Sequence, residues 1–230
     1  MPARAHGHVR GGLPIAGIAR ALAEPSRVAM LDVLMDGGGH PAGALARAAR
    51  VAPATASSHL RVLASAGLVR VSARGRERVV HLAGPDVAET LERLAALTSR
   101  TDNAIRFART CYDHLAGVLA VLVVEALVDR AWLHRTTDNL EPSPALLAWL
   151  ADHGHPVAAT KRPLSRACVD WSERMPHVAG RVGAALCALF VEQAWVMRID
   201  ATRALRLTPR GRTALAAELG LTLPHAARRA

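Results

Sequence analysis

The chain has 230 residues, enough for one large domain or two small ones that each bury a core. Hydrophobic residues make up 51% and charged ones 21%, which excludes a disordered chain. The longest apolar run, residues 115–128, contains Glu125 and is shorter than the roughly 20 residues a membrane helix needs.

The formal charge is +10, and that excess points to a polyanionic partner, nucleic acid above all. The start of the chain, MPARAHGHVRGG, lacks the apolar core of an export signal. Residues 1–13 are expected to form a flexible N-terminus, and the cytoplasm is the expected location. Three cysteines in a reducing compartment are expected to be thiols. Cys187, inside GAALCALF, reads as core filling, which leaves Cys111 and Cys168 to explain.

Residues 18–34, IARALAEPSRVAMLDVL, read as two short helices around Glu24-Pro25-Ser26. Pro25 opens the second helix, where its missing N–H would be unpaired in any case. The three glycines 37–39 end it. Residues 40–50, HPAGALARAAR, are predicted as a third helix with Leu45 and Ala48 on one face. Pro53 opens a fourth, PATASSHLRVLASAG, stopped by Gly67. Neither Val51 nor Ala52 offers it a polar N-cap, at a cost of about 1 kcal/mol. The segments LVRVSA and ERVVHL alternate with period two across Arg74-Gly75-Arg76, which predicts a hairpin. Residues 86–97 are predicted as a closing helix with Glu92 facing outward.

A helix-turn-helix followed by a β-hairpin is the winged-helix arrangement, whose second helix lies in the DNA major groove. On the fourth helix, Thr55, Ser57, Ser58 and Arg61 are small or cationic where a base-reading face needs them, with Leu60 and Leu63 inward. Arg74, Arg76 and Arg78 are candidate phosphate contacts from the wing, against the plainer reading of a solvated hairpin tip. The segments ALAEPSRVAMLDVL, PATASSHLRVLASAGLV and RGRERVVHL occur in this order within residues 14–98 and resemble the ArsR-type transcriptional regulators. The resemblance implies a double-stranded DNA operator as partner, a homodimer and, as the commoner sign, repression relieved by an effector. It leaves His59 with two readings: donor to a phosphate, or a packed residue at a position where this family often carries histidine.

Beyond residue 100 the chain repeats itself. Arg109, Cys111 and Asp113 recur 57 residues later as Arg166, Cys168 and Asp170. His114, Ala116 and Gly117 recur 63 residues later as His177, Ala179 and Gly180, and Ala131-Trp132 as Ala194-Trp195. The expectation is a duplicated helix-strand-helix domain over 104–220, with halves at about 104–157 and 164–220 and a tail at 221–230. The whole chain is then mainly α with small β-wings, an α+β protein.

Cys111 and His114, at i and i+3, share one face if that segment is helical. Thiolate and imidazole suit Zn²⁺, Cd²⁺ or a similar ion. Cys111, His114, Cys168 and His177 therefore form a candidate four-ligand metal site. Asp113 and Asp170 are candidate oxygen ligands or outer partners of the histidine rings. The segments CYDHLAG and RACVDWSERMPHVAG also resemble the long C-terminal extension of a metal-responsive group of ArsR-like regulators. That resemblance implies a metal effector without identifying its ligands. The chain has neither a CxxC or CxC pair nor the paired cysteines some metal sensors of the family carry in the third helix.

Other readings stand beside this one. His-x-Ala-Gly allows close helix packing, and Trp132, Trp149, Trp171 and Trp195 are candidates for lining a small-molecule pocket or filling the core. Cys111 and Cys168 are candidates for a reversible disulfide. A thiol enzyme is disfavoured, because neither cysteine has a recognisable signature or oxyanion donor set around it.

Overall fold

The proline-opened helices form where the sequence asks for them. The computed structural model describes residues 15–74, 77–95, 97, 103–137, 139–199 and 202–223. The expected flexible segment 1–13, Arg76 at the wing tip and residues 224–230 of the expected tail lie outside the described residues. The first elements are α1 (Ala16–Leu22), α2 (Pro25–Leu34), β1 (His40–Pro41), α3 (Ala42–Ala48) and α4 (Pro53–Ser65). Then come β2 (Val69–Arg74), β3 (Glu77–Leu82) and α5 (Pro85–Ala95). Glu24 caps α2 by accepting from the Ser26 amide at 3.2 Å, whereas Ala52 gives α4 no side-chain cap.

One boundary differs from the sequence reading. His40 and Pro41 do not begin the third helix; they form an edge strand opposite Val80 and Val79. Pro41 lacks an N–H, which suits an edge. The sheet runs β1-β3-β2, all antiparallel. Met30, Leu31, Leu34, Leu45, Leu60, Leu63, Val80 and Leu82 form its core with α2, α3 and α4.

After α6 (Asn103–Phe107), an order of hairpin, long helix, hairpin and helix runs twice. The first pass is β4 (Arg109–Cys111), β5 (His114–Ala116), α7 (Val118–Asp129), β6 (Leu133–Arg135), β7 (Leu140–Pro142) and α8 (Pro144–Asp152). The second is β8 (Arg166–Val169), β9 (Pro176–Ala179), α9 (Gly180–Glu192), β10 (Val196–Arg198), β11 (Leu205–Leu207) and α10 (Pro209–Leu219). The expected helix-strand-helix halves are therefore corrected: a hairpin precedes each long helix, and each strand near a Trp is half of another hairpin.

The repeated motifs have local causes. Gly117 and Gly180 take φ of +88° and +82° where a strand turns into a helix, and a Cβ at either would lie 2.6–2.8 Å from neighbouring backbone. Ala131 and Ala194, just past α7 and α9, take φ of 55° and 54°, and the amides of Trp132 and Trp195 close the helix ends on Leu127 O and Phe190 O at 2.8 Å. A second core gathers around α7 and α9, with Leu119, Val123, Leu127, Val182, Leu186 and Phe190 buried. Trp149 and Trp195 belong to that core, and Trp149 also packs on Trp132 with ring centroids 5.6 Å apart.

The two halves meet through ions as well as apolar surface. Glu92 does not face outward as the sequence suggested; it is 2% exposed. Its carboxylate accepts from Arg109 at 3.2 Å and from Arg203. Arg203 also reaches Asp32 on α2 at 2.9 Å, and Arg166 pairs with Glu89 at 2.8 Å. The amphipathic pattern marks which helix face is polar; here arginines from the C-terminal half cover that face. Replacing Glu92 with Ala leaves two buried guanidinium groups short of an anion. Urea unfolding should therefore show a loss of about 3–5 kcal/mol; a loss under about 1 kcal/mol would contradict this role.

Candidate metal centre and DNA-reading face

The candidate ligands lie on β-strands rather than on a helix. In β4–β5, Cys111 pairs directly with His114 across the two-residue turn Tyr112-Asp113. In β8–β9, Cys168 pairs directly with His177, and one further pair, Val169 with Pro176, precedes a six-residue turn. Directly opposed residues of an antiparallel pair point to the same side of the sheet. Each hairpin thus presents one thiol and one imidazole together. The six extra residues all lie beyond the Cys–His pair, two in an added rung of the ladder and four in a longer turn, which is why the repeat's offset changes from 57 to 63 without disturbing the pairs.

The two hairpins pack face to face. The His114 and His177 ring centroids are 5.1 Å apart, and one ligand atom from each of Cys111, His114, Cys168 and His177 lies within 4.8 Å of all the others. All four residues are buried, none more than 4% exposed. Tetrahedral zinc with bonds of about 2.0–2.3 Å sets ligand atoms roughly 3.3–3.8 Å apart. The set is therefore pre-gathered and needs only a small contraction.

Around the four, each histidine has a carboxylate on its Nδ1 side. Asp170 Oδ2 is 3.3 Å from His177 Nδ1, and Asp113 Oδ1 is 3.5 Å from His114 Nδ1. These are close charge contacts without hydrogen-bond geometry, and among the described residues none of the four ring nitrogens has a hydrogen-bond partner. Asp170 is itself tightly held. It accepts from Arg109 at 3.0 Å, from the Gly117 amide at 2.6 Å and from Ser172 Oγ at 2.7 Å. Asp113 is clamped by both terminal nitrogens of Arg162.

Charge is divided unevenly among the four. The Cys111 thiol donates to Cys168, which drives Cys168 well below the usual thiol range, and both imidazoles add to the effect against the cost of burial. The same hydrogen bond, together with burial, pushes Cys111 well above that range. Burial alone would lower His177, but Asp170 and the Cys168 thiolate raise it to about 9. Burial would likewise raise Asp170, yet His177 and Arg109 hold it far below the ordinary carboxylate value. These shifts favour negative charge on Cys168 and positive charge on His177, with Cys111 keeping its proton. Cys187 stands apart, pushed up to about 12 by burial.

The other set of sequence candidates falls on α4 and the wing. Thr55, Ser57, Ser58 and Arg61 are exposed along α4, while Ala56, Leu60 and Leu63 are buried. Arg61 donates to Ser58 Oγ at 3.0 Å, and Ser57 turns its hydroxyl back to Pro53 O. His59 is half-buried, with Nε2 3.0 Å from Ser26 Oγ and Nδ1 3.4 Å from Arg27. Its ring nitrogens are thus engaged with α2. Arg78 is exposed on β3, and Arg61 and Arg78 line one groove between α4 and the wing. Arg74 ends β2 opposite Glu77. Arg47 and Arg50, exposed at the turn from α3 into α4, were not singled out from the sequence, although their place in the helix-turn-helix marks them.

A family model described as a helix-turn-helix domain matches residues 22–72. Over 222 residues the chain is 37% identical to YdfF of Bacillus subtilis, an uncharacterised HTH-type transcriptional regulator, covering 91% of this chain and 98% of that one. The chain belongs to the helix-turn-helix transcriptional regulators. The similarity to YdfF extends through the C-terminal region of the regulator as well as its DNA-binding half. Among solved structures, the regulator is similar to the homodimeric winged helix-turn-helix domain of Mb0332 from Mycobacterium bovis, a possible ArsR-family regulator. That likeness is 32% identical, with 39% of this chain and 86% of that one covered at a TM-score of 0.34. The regulator is also similar to the cadmium sensor CmtR of Mycobacterium tuberculosis, at 32% identity, 40% and 99% coverage and a TM-score of 0.32.

If Arg61 reads a base, Arg61→Ala should weaken binding to a selected DNA duplex by about 1–3 kcal/mol and relax its sequence preference. Fluorescence anisotropy at fixed salt checks this, and unchanged affinity and preference would remove Arg61 from the reading face.

Proposed function

We propose that this DNA-binding regulator is a cytoplasmic homodimeric repressor released from its operator by a divalent transition or heavy metal ion. The ion is held by Cys111, His114, Cys168 and His177. The observation that carries the proposal is the convergence of these four buried side chains, with neither imidazole finding a hydrogen-bond partner among the described residues. Two thiolates and two neutral imidazoles bring a divalent cation to zero net charge, which suits a closed, dry site and disfavours a monovalent ion. Asp170 and Asp113 act as outer partners, orienting the rings so that Nε2 faces the metal. The two hairpin–helix–hairpin–helix runs form a duplicated unit, and its doubled Cys–His pairs are what make four ligands.

Thr55, Ser57, Ser58 and Arg61 read the operator, while Arg74, Arg76 and Arg78 meet phosphates from the wing. His59 packs behind the reading helix rather than contacting DNA. Dimerisation is supported by apolar exposure beside one cleft. Leu94 and Val28, 42% and 45% exposed, border a cavity of about 340 Å³ walled by Leu22, Leu31, Met35 and Leu91. A second reading, reversible disulfide formation, draws on the thiol–thiolate contact between Cys111 and Cys168. Their burial, at 1% and 2% exposure, shields them from an oxidant.

Binding must displace the proton of Cys111, held high, and that of His177, raised to about 9. Zn²⁺ affinity should therefore climb with pH between about 6 and 9, approaching a hundredfold per unit for two protons released. Titration of the full-length protein against a chelating indicator should give one ion per chain, and Cys168→Ser should abolish tight binding. A pH-independent affinity, or Zn²⁺ uptake untouched by Cys168→Ser, would refute the proposed centre. A 111–168 crosslink formed under mild peroxide, without metal uptake, would favour the redox reading.

A further inference from the structure

Tyr112 lies between two of the proposed ligands and reaches into the DNA-binding half. It is the first residue of the β4–β5 turn, with φ of 61°, a left-handed conformation a bulky residue keeps only when its surroundings hold it. Its half-buried side chain packs on the cluster formed by α2, α3, α4 and the wing sheet. The turn's backbone rests against Gly37. A Cβ there would lie 2.7 Å from Tyr112 O and 3.1 Å from Asp113 N, so no other residue leaves room for the turn. Behind it, Thr110 Oγ1 is 3.5 Å from Met35 O. Gly37 belongs to the connection from α2 to β1, and β1 leads directly into α3 and α4, the helix pair that reads DNA.

The proposed metal centre, on which this inference rests, requires ligand atoms as far as 4.8 Å apart to close to roughly 3.3–3.8 Å. Only two residues separate Cys111 from His114, against eight between Cys168 and His177. A long turn absorbs a shift at its base; a two-residue turn moves with its strands. We infer that Tyr112 is the positioning residue that couples the metal centre to DNA. Filling the site moves the β4–β5 turn, and Tyr112 passes that movement through the Gly37 connection to β1, α3 and α4. The operator-binding arrangement and the metal-bound arrangement are then two states that each ligand biases in opposite directions.

The test uses full-length protein, Zn²⁺, and a duplex selected from a random library by the metal-free wild type. Tyr112→Gly removes the ring while suiting the left-handed backbone, and Tyr112→Asn repeats the test with a side chain also at home there. Zn²⁺ affinity without DNA, and DNA affinity without Zn²⁺, should stay within about threefold of wild type in both variants. Wild-type DNA affinity should change by about 5–150-fold on saturation with Zn²⁺, the usual range of such coupling, and in the variants by less than about twofold. By reciprocity, DNA should no longer alter their Zn²⁺ affinity. A variant that binds Zn²⁺ and still responds like wild type overturns the role of Tyr112 while leaving the metal centre standing. A wild type that takes up no Zn²⁺ through the four ligands overturns both.

Discussion

Arg109 is a permanent cation with no surface in water, and a guanidinium in that position is stable only when anions and acceptors surround it. Glu92 approaches from the winged-helix half and Asp170 from the loop beyond β8, with Ser172 Oγ and Ile105 O taking further bonds. Trp171 covers the guanidinium with its ring centroid 4.8 Å away. That arrangement ties three parts of the chain together. It seats α5 on the C-terminal half, it orders the loop preceding β9, and it fixes the carboxylate beside His177. The side-chain geometry of the candidate centre therefore follows from a charge that has to be matched.

The same requirement explains the polarity of the centre. A thiolate beside an imidazolium is close to neutral as a pair and tolerates burial better than either charge alone. In the proposed metal-bound state, one divalent cation replaces two protons and the interior stays close to neutral. In contrast, the DNA-reading side keeps its cations in water, where Arg61 and Arg78 flank an open groove. One protein thus uses arginine in two ways: buried among carboxylates to hold its halves together, and exposed along the groove of the proposed reading face.

Much of the DNA-binding half is legible in the sequence, because Pro25 and Pro53 punctuate helices and the wing strands alternate with period two. The four gathered ligands are legible too, since the repeat places a Cys and a His in each copy. Their local structure is not. Cys111 and His114 at i and i+3 fit a helix and a two-residue hairpin equally well, and only the strand register separates the two. Glu92 departs from the sequence expectation because amphipathicity reports which face is polar and says nothing of whether water or arginine covers it. His40-Pro41 became a strand for a tertiary reason, the free edge of β3. Tyr112 offered no sequence signal at all; its role depends on a contact across more than seventy residues with a glycine that leaves space for it.

The central claim is that the two hairpins close on one ion with two sulfur and two nitrogen ligands. X-ray absorption at the zinc edge of the Zn²⁺-loaded full-length protein tests it most directly. Two sulfur scatterers at about 2.3 Å and two nitrogen scatterers at about 2.0–2.1 Å are the expected result. A shell of oxygen and nitrogen alone, or one without a sulfur from each hairpin, would contradict the claim.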